Sequence, residues 1–184
     1  MTRYELETPR LVLTTSVPEM APAILELERR NREHFEPWED RRPSDFFTLD
    51  YQKRLIRDER KLRESGEGID YWIYCSADGM LIGKASVFCL VMGNLSNCML
   101  GYKLDKDYQG HGYMHEALEA IIDNLFNVVG IHRIEINMMP RNTRSVRVAE
   151  RLGFEREALS RAFIRINGVW EDHYRYVKIN DAKK

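Results

Sequence analysis

A short glycine-bearing turn carries the residue pattern best suited to chemistry in this sequence. Residues 109–114 read Gln-Gly-His-Gly-Tyr-Met, and Gly110 and Gly112 stand just before an apolar-periodic helix. Glycine permits positive φ and a close approach of the backbone to a ligand. A helix start adds unpaired N–H groups and the positive end of the helix dipole, which attract anions. The turn therefore predicts a phosphate or pyrophosphate site. A Walker A loop is excluded, because no Gly-Lys-Ser/Thr follows.

A second helix start with ligand-binding residue types begins at Asn142. Asn142 is a good N-cap, and Ser145 follows three residues later. Helix capping alone accounts for both residues, and a contact to a bound ligand is the alternative interpretation. Glu116, in the first turn of the earlier helix, also has two interpretations. A carboxylate there either stabilises the positive helix end or acts as a general base.

A metal site is not expected from the histidines or the cysteines. His111 and His115 are four residues apart beside Glu116, but the H-E-x-x-H pattern is absent and His111 precedes the helix proper. The three cysteines are odd in number and form no C-x-x-C pair. This pattern argues against a zinc knuckle and against a disulfide framework.

Length and composition predict one domain in the cytosol. The chain has 184 residues, 43% of them hydrophobic and 31% charged, which is typical of a single globular domain over 1–184. A formal net charge of −1 gives no bulk attraction to nucleic acid or to a membrane. No apolar run is long enough to span a bilayer, and no signal-peptide pattern is present. We expect a cytoplasmic monomer or homodimer without direct readout of nucleic acid.

Hydrophobic periodicity and turn signals place the candidate residues on a mixed α/β chain. Strands are predicted at 10–15, 70–76, 81–91, 96–104, 132–138, 154–166 and 169–179. Helices are predicted from Ser16 to near Asn31 and at 49–64, 114–128 and 143–152. The order is β-α-α-β-β-β-α-β-α-β-β, with an antiparallel meander in the middle and a final hairpin at Asn167-Gly168.

Two details of the predicted helices are specific. Ser16 is predicted to cap the first helix, with Glu19 in capping-box position. The second helix is predicted to bury Tyr51, Leu55 and Leu62, which share one face at helical spacing.

The stretch 34–47 between these two helices is aromatic and charged, with two prolines and no clear periodicity. One interpretation is a surface loop pinned by Phe35 and Trp38. The other is a substrate-facing loop, because binding residues concentrate on loops held by a scaffold. In the second case Glu36 and Glu39 would attract a cationic substrate.

The glycine turn resembles the acyl-CoA-binding Q/R-x-x-G-x-G/A signature of the GNAT N-acetyltransferases, although Met114 replaces the usual small last residue. The segment that opens at Asn142 and closes in Leu152-Gly153-Phe154 resembles the second block of that family. Further segments resemble the ribosomal-protein-alanine N-acetyltransferases of the RimJ/RimL type, RimJ above all. They are Thr8-Pro9-Arg10-Leu11, Pro37-Trp38-Glu39, Leu100-Gly101-Tyr102, Gly112-Tyr113-Met114-His115-Glu116-Ala117-Leu118, Ile131-His132-Arg133-Ile134 and Gly168-Val169-Trp170-Glu171-Asp172-His173.

This resemblance implies the α/β (α+β) acyl-CoA N-acyltransferase fold of the GNAT family. Its central sheet is mixed, mostly antiparallel, splayed between strands 4 and 5 and flanked by helices, with CoA in the resulting cleft. The implied activity moves the acetyl group of acetyl-CoA, a co-substrate, to the N-terminal α-amine of a protein. In that family the acceptor is an alanine of a ribosomal protein, which attacks directly in a ternary complex.

The resemblance also assigns residues to the two substrates. CoA is expected to contact the strand end, the glycine turn and the second helix start, at Leu104, Gln109, Gly110, His111, Gly112, Tyr113, Met114, Asn142 and Ser145. The acceptor is expected to contact Glu36, Trp38, Glu39 and Tyr102. A basic edge is formed by Arg141, Arg144, Arg147 and Arg151. One interpretation is that this edge meets CoA phosphates or RNA around the substrate. The other is that it is a solvated face.

The catalytic assignment departs from the family pattern at one position. Many relatives carry a tyrosine that assists the leaving thiolate, and this chain has Ala149 there. Ser145 is then the nearest donor to the CoA sulfur. Glu116 is the candidate base. An α-amine, with a pKa of about 7.7–8.0, is already partly neutral near pH 7, so one carboxylate that acts through water is sufficient to take its proton.

Two other functions stay open at the level of sequence. An enzyme of the same kind would acetylate a small amine such as a polyamine, an amino acid or an aminoglycoside, and a closed acidic pocket would favour it. A ribosome-assembly or regulatory binding protein would keep a vestigial CoA site and would show no turnover.

Overall fold

An eight-stranded mixed sheet carries the fold in the computed structural model, which describes residues 4–181. The strands are β1 (Glu5–Glu7), β2 (Leu11–Thr14), β3 (Ile69–Cys75), β4 (Leu81–Val91), β5 (Asn97–Leu104), β6 (Arg133–Met138), β7 (Glu155–Ile166) and β8 (Val169–Ile179). The helices are α1 (Ala21–Arg30), α2 (Arg32–Phe35), α3 (Leu49–Ser65), α4 (Tyr113–Asn124) and α5 (Thr143–Arg151). The predicted strands and helices are thus present, and β1 and α2 are additional.

The sheet opens between β5 and β6, as the fold prediction requires. The strand order is β1-β2-β3-β4-β5-β6-β8-β7, and β5 and β6 run parallel while the other neighbours are antiparallel. The β5–β6 ladder covers three pairs, from Asn97 with Arg133 to Met99 with Glu135. Beyond those pairs β5 and β6 diverge. They correspond to strands 4 and 5 of the prediction, because the prediction did not include β1. The predicted fold class is therefore confirmed.

Apolar side chains bind helices to both faces of this sheet. On one face, fully buried residues of α4 such as Ala117, Leu118 and Ile121 pack on the strands. On the other face, Ile24 of α1 and Ile56 of α3 form a smaller cluster with strand residues. Since side chains alternate along a strand, β3 supplies Tyr71 and Ile73 to the first cluster and Trp72 to the second. None of the helices formed by residues 4–181 has the length and apolar character to cross a bilayer.

The predicted capping box at Ser16 is wrong. A 3₁₀ turn at Pro18–Met20 precedes α1, and its N-cap, Val17, makes no side-chain capping bond. The Ser16 hydroxyl donates instead to Glu59 Oε2 at 2.5 Å. A buried carboxylate needs donors more than a helix start does, because water satisfies an exposed N–H group but cannot reach Glu59.

The predicted buried face of α3 is also wrong. The buried residues are Gln52, Ile56 and Glu59, whereas Leu62 is 44% exposed. Two of the three are polar and have partners, since Gln52 Nε2 donates to a backbone carbonyl and Glu59 pairs with Lys84 at 2.7 Å. An apolar stripe therefore does not locate the inner face of this helix.

One helix end differs from its prediction in a smaller way. α4 stops at Asn124, and a π-helical turn at Leu125–Val129 follows. Gly130 closes that turn in the left-handed region with φ of 92°, as the sequence predicted.

The two faces of α3 are compared by truncating one side chain on each. We expect Ile56→Ala, at a site 3% exposed, to lower the free energy of unfolding by about 2–4 kcal/mol, because it leaves a cavity. Leu62→Ala is the matched control and should cost under about 1 kcal/mol. Urea unfolding followed by circular dichroism measures both values. Equal losses would contradict the observed orientation of α3.

Candidate active site

A cleft with a volume of about 920 Å³ lies at the opening between β5 and β6. Residues from the ends of both strands, the starts of α4 and α5, the segment after α2 and the strand β8 line it. Most of the predicted site residues reach this lining, namely Trp38, Glu39, Tyr102, Leu104, Gln109, Gly110, Gly112, Tyr113, Met114, Asn142 and Ser145. His111, Glu116 and Glu36 are not part of it.

The glycine turn presents the start of α4 to the cleft. Gly110 and Gly112 have φ of 82° and 81°, in the left-handed region where glycine is favoured. A Cβ at Gly110 would meet no atom within 4 Å, so the backbone conformation, and not space, calls for glycine there. Gly112 is the N-cap of α4, and no side chain caps the helix. The first N–H groups of α4 are thus available to an anion, which fits a pyrophosphate.

The Gln109 side chain fastens this turn to the two elements beside it. Its Oε1 accepts a hydrogen bond from Arg144 of α5 at 2.6 Å, and its Nε2 lies 2.7 Å from His34 Nε2. Burial and then the nearby Arg144 charge lower the pKa of His34, which favours the neutral ring that accepts from Gln109. Two arginines of the basic edge therefore have partners within the protein, because Arg141 also pairs with Glu171 at 2.7 Å.

Two hydroxyl groups meet at the start of α5. The Tyr102 hydroxyl lies 2.6 Å from Ser145 Oγ and 3.1 Å from the Ser145 carbonyl. Burial raises the pKa of Tyr102 to about 12, although the hydrogen bond to Ser145 acts the other way. The phenol therefore stays protonated and can donate to Ser145. Ala149, where many relatives carry tyrosine, is fully buried.

Asn142 caps α5 as predicted, and its Oδ1 accepts from the Ser145 backbone N–H at 3.2 Å. Asn142 is also one of the residues that line the cleft. The capping and ligand-contact interpretations are thus compatible at this residue.

Glu116 lies outside the lining of the cleft, and its carboxylate is engaged by Thr8 and Arg10. Its Oε1 accepts from the Thr8 hydroxyl at 2.6 Å and from the Arg10 N–H at 3.0 Å, and its Oε2 from Arg10 Nε at 2.6 Å. Burial acts to raise the pKa of Glu116, but these hydrogen bonds and the Arg10 charge lower it overall. Arg10 also donates to the His111 carbonyl at 2.9 Å. No local sequence pattern around Glu116 predicts its contact with Arg10.

The segment after α2 is both pinned and turned toward the cleft. Phe35 is buried, and Trp38, in a 3₁₀ turn at Glu36–Trp38, lines the cleft. Glu39 pairs with Lys103 at 2.9 Å and with Arg42. Burial acts to raise the pKa of Glu39, but these two cations lower it overall. Glu36 is exposed, and its carbonyl accepts from Asn167 Nδ2, at the β7–β8 turn, at 2.8 Å.

The polar lining residues that the sequence argument missed include Asn137 of β6 and His173 of β8. A polar residue inside a predicted strand looks like an exposed position, and only strand pairing shows that these two face a common space. Among residues 4–181, no group of three or more His, Cys, Asp or Glu side chains is arranged to hold a metal ion.

A sheet that parts between two parallel strands, with a glycine turn and two helix starts at the gap, defines the acyl-CoA N-acyltransferase class of fold. Comparison with known families agrees. The model of the acetyltransferase (GNAT) domain family matches residues 10–155. The chain belongs to the GNAT family and is an acyltransferase.

Individual relatives cover most of the chain. A Bacillus subtilis (strain 168) protein named "Probable N-acetyltransferase YjcK" is 39% identical over 81% of this chain and 82% of its own length. The [ribosomal protein uS5]-alanine N-acetyltransferase of Escherichia coli (strain K12) is 33% identical over 93% of this chain and 88% of its own. The crystal structure of ribosomal-protein-S5-alanine acetyltransferase from Vibrio fischeri is 31% identical, with a TM-score of 0.91 over 98% of both chains.

Replacing Glu116 separates a structural role from a catalytic one. We expect Glu116→Gln to lower the free energy of unfolding at pH 7 by about 1–2 kcal/mol, because it weakens charge-assisted hydrogen bonds. The folded-state pKa lies below the ordinary value. The advantage of the wild type is therefore complete above about pH 4.3 and lost as pH falls through the folded pKa.

The exposed Glu119 on the same helix provides the control for this substitution. Glu119→Gln should leave both stability and turnover near wild type, and Glu116→Gln should keep kcat within about twofold because its carboxylate is outside the cleft. A large loss of kcat in Glu116→Gln at unchanged stability would restore Glu116 as the base.

Proposed function

We propose that this enzyme transfers the acetyl group of acetyl-CoA to the N-terminal α-amine of a protein, an alanine of a ribosomal protein. The observation that carries the choice of acceptor is the charge of the cleft. Among residues 4–181, its lining contains a single carboxylate, that of Glu39, which is already paired with Lys103 and Arg42. A polyamine or an aminoglycoside carries several positive charges and would need unpaired carboxylates, whereas one α-amine does not. The uS5-alanine and S5-alanine activities named for two of the relatives agree with this acceptor.

The donor site follows from the backbone around the gap. The uncapped start of α4 fits the pyrophosphate, and Arg147 and Arg151 line the cleft beside it. On the gap side, β5 and β6 have no ladder partner beyond Met99 and Glu135 in residues 4–181. The amide groups of the pantetheine arm are suited to these strand edges, next to Leu104 and Asn142.

The chemistry that we propose is direct attack. The lone pair of the amine nitrogen forms a bond with the thioester carbonyl carbon, the nitrogen loses one proton, and the C–S bond breaks with its electron pair on sulfur. Ser145 donates a hydrogen bond to that sulfur, while the protonated Tyr102 hydroxyl donates to Ser145 Oγ. The thiolate then takes a proton from water. A thiol with a pKa of about 8.5 leaves without full proton transfer from the protein.

The hydroxyl pair is tested by removing one oxygen at a time. We expect Ser145→Ala and Tyr102→Phe each to lower kcat about 10- to 100-fold, with the KM for acetyl-CoA little changed. The double variant should lose little more than Ser145→Ala, because the two hydroxyls act as one unit. Ser65→Ala, at the exposed end of α3, is the control. Full kcat in Ser145→Ala would remove this role.

The acceptor is tested with purified enzyme and three amines at equal concentration. We expect acetylation of a peptide that begins with alanine. A peptide with a blocked N-terminus and an internal lysine should show little, because lysine, with a pKa of about 10.4, is almost fully protonated near pH 7. Spermidine should also react poorly. Mass spectrometry of the products, and of ribosomal proteins from cells with and without the enzyme, identifies the acceptor.

Each contrary result selects another function. Faster turnover of spermidine would favour a small-amine acetyltransferase. Tight binding of CoA without turnover of any amine would favour a binding protein with a vestigial site.

A further inference from the structure

The residues of the cleft divide between the two faces of the opened sheet. Tyr102 reaches Ser145 of α5, and the Tyr176 hydroxyl donates to Glu150 of α5 at 3.0 Å. The neighbouring side chain Lys103 points to the opposite face, where it pairs with Glu28 of α1 at 2.6 Å. The groups that would meet a leaving sulfur therefore lie on the α5 face. The α1 face is then the side of the cleft that remains for an attacking amine.

His173 is an unused hydrogen-bond acceptor on that α1 face. Met138 pairs with Tyr174, and Asn137 pairs with Arg175, so His173 shares the face of Asn137. His173 is 4% exposed and belongs to the cleft lining. Nδ1 lies 3.0 Å from the Glu171 carbonyl, which can only accept, so Nδ1 carries the hydrogen. Nε2 then holds a lone pair, and no group in residues 4–181 donates to it.

Asn137 presents a second unused acceptor on the same face. Its Oδ1 is fully buried and has no hydrogen-bond partner in residues 4–181, and the residue Asn137 belongs to the cleft lining. A buried carbonyl without a donor costs about 1–3 kcal/mol, so native proteins keep such a group chiefly where a ligand or water satisfies it. An amine that enters from the α1 face brings several N–H donors.

We infer that His173 Nε2 takes the proton from the attacking amine and that Asn137 Oδ1 accepts a second N–H hydrogen bond and orients it. This inference rests on the acetyl transfer proposed above and assigns its base. As the C–N bond forms, one N–H bond breaks, its electron pair stays on nitrogen, and its proton moves to Nε2. The C–S electron pair leaves with sulfur toward Ser145, and His173 later returns the proton to water.

The orientation of the imidazole suits this role. The Glu171 carbonyl fixes the tautomer, as a second partner commonly does for a catalytic histidine. Phe163 packs edge-on against the ring, with centroids 5.9 Å apart, and limits its rotation. The carboxylates nearby are engaged, Glu39 with two cations and Glu171 with Arg141. His173 thus offers a free basic lone pair where the cleft has no free carboxylate.

The first test replaces the ring. We expect His173→Gln to lower kcat about 100-fold with the KM for acetyl-CoA and the affinity for CoA unchanged. Imidazole added to His173→Ala should restore part of the activity. Pyrrole, of the same size but without an accepting nitrogen, should not. His132→Gln is the control, because His132 lies outside the cleft lining.

The second test addresses the carboxamide. We expect Asn137→Ala to raise the KM for the acceptor about tenfold, with the KM for acetyl-CoA unchanged. A change confined to the KM for acetyl-CoA would place Oδ1 on the pantetheine arm and overturn its assignment to the amine.

The outcomes separate this inference from the proposed function. Wild-type kcat in His173→Gln, or a loss that imidazole fails to restore while CoA binding also falls, would overturn the role of His173. If the wild type prefers a small amine, the proposed acceptor fails, and the same variants are assayed with that amine. A lower kcat that imidazole rescues would then still support His173.

Discussion

Backbone N–H and C=O groups that leave a sheet must find other partners, and this constraint governs the structure from Met99 and Glu135 onward. There the β5–β6 ladder ends, so each strand keeps one paired edge and turns the other to the gap. In a closed sheet those edges would have satisfied each other. Here the opening exchanges sheet hydrogen bonds for a cleft, and the Tyr102–Ser145 hydroxyl pair, the glycine turn and the residue His173 are arranged around it.

Buried polar contacts, and not apolar packing alone, hold the slot in shape. Asp105, directly after β5, is fully buried and pairs with Arg30 of α1 at 2.5 Å. Burial acts to raise the pKa of Asp105, but hydrogen bonds from the Asp107 backbone and from Arg30 lower it overall. Lys103 joins α1 to the segment after α2 through Glu28 and Glu39. Such groups are costly to leave unpaired, so they favour one position of β5 relative to α1.

Local patterns predicted the elements well, and residues paired across long stretches of chain explain what they missed. Strand alternation, the Asn167-Gly168 turn and the Asn142 cap are short-range signals, and all three agree with the structure. The buried face of α3 depends on Lys84, and the position of Glu116 depends on Arg10. His173 joins the site only because β8 pairs with β6. The two members of each such pair lie far apart in the sequence, so a local sequence pattern does not reveal their contact.

The contact between Arg10 and the His111 carbonyl has a consequence for the polarity of the glycine turn. In a trans peptide the C=O and the N–H of one plane point in opposite directions. By holding the carbonyl of His111 outside the turn at 2.9 Å, Arg10 directs the amide hydrogen of Gly112 to the opposite side. The salt bridge to Glu116 keeps the guanidinium in place at 2.6 Å. A residue directly before β2 thereby sets the direction of a single peptide dipole in the turn where we propose that the phosphate groups of the donor bind.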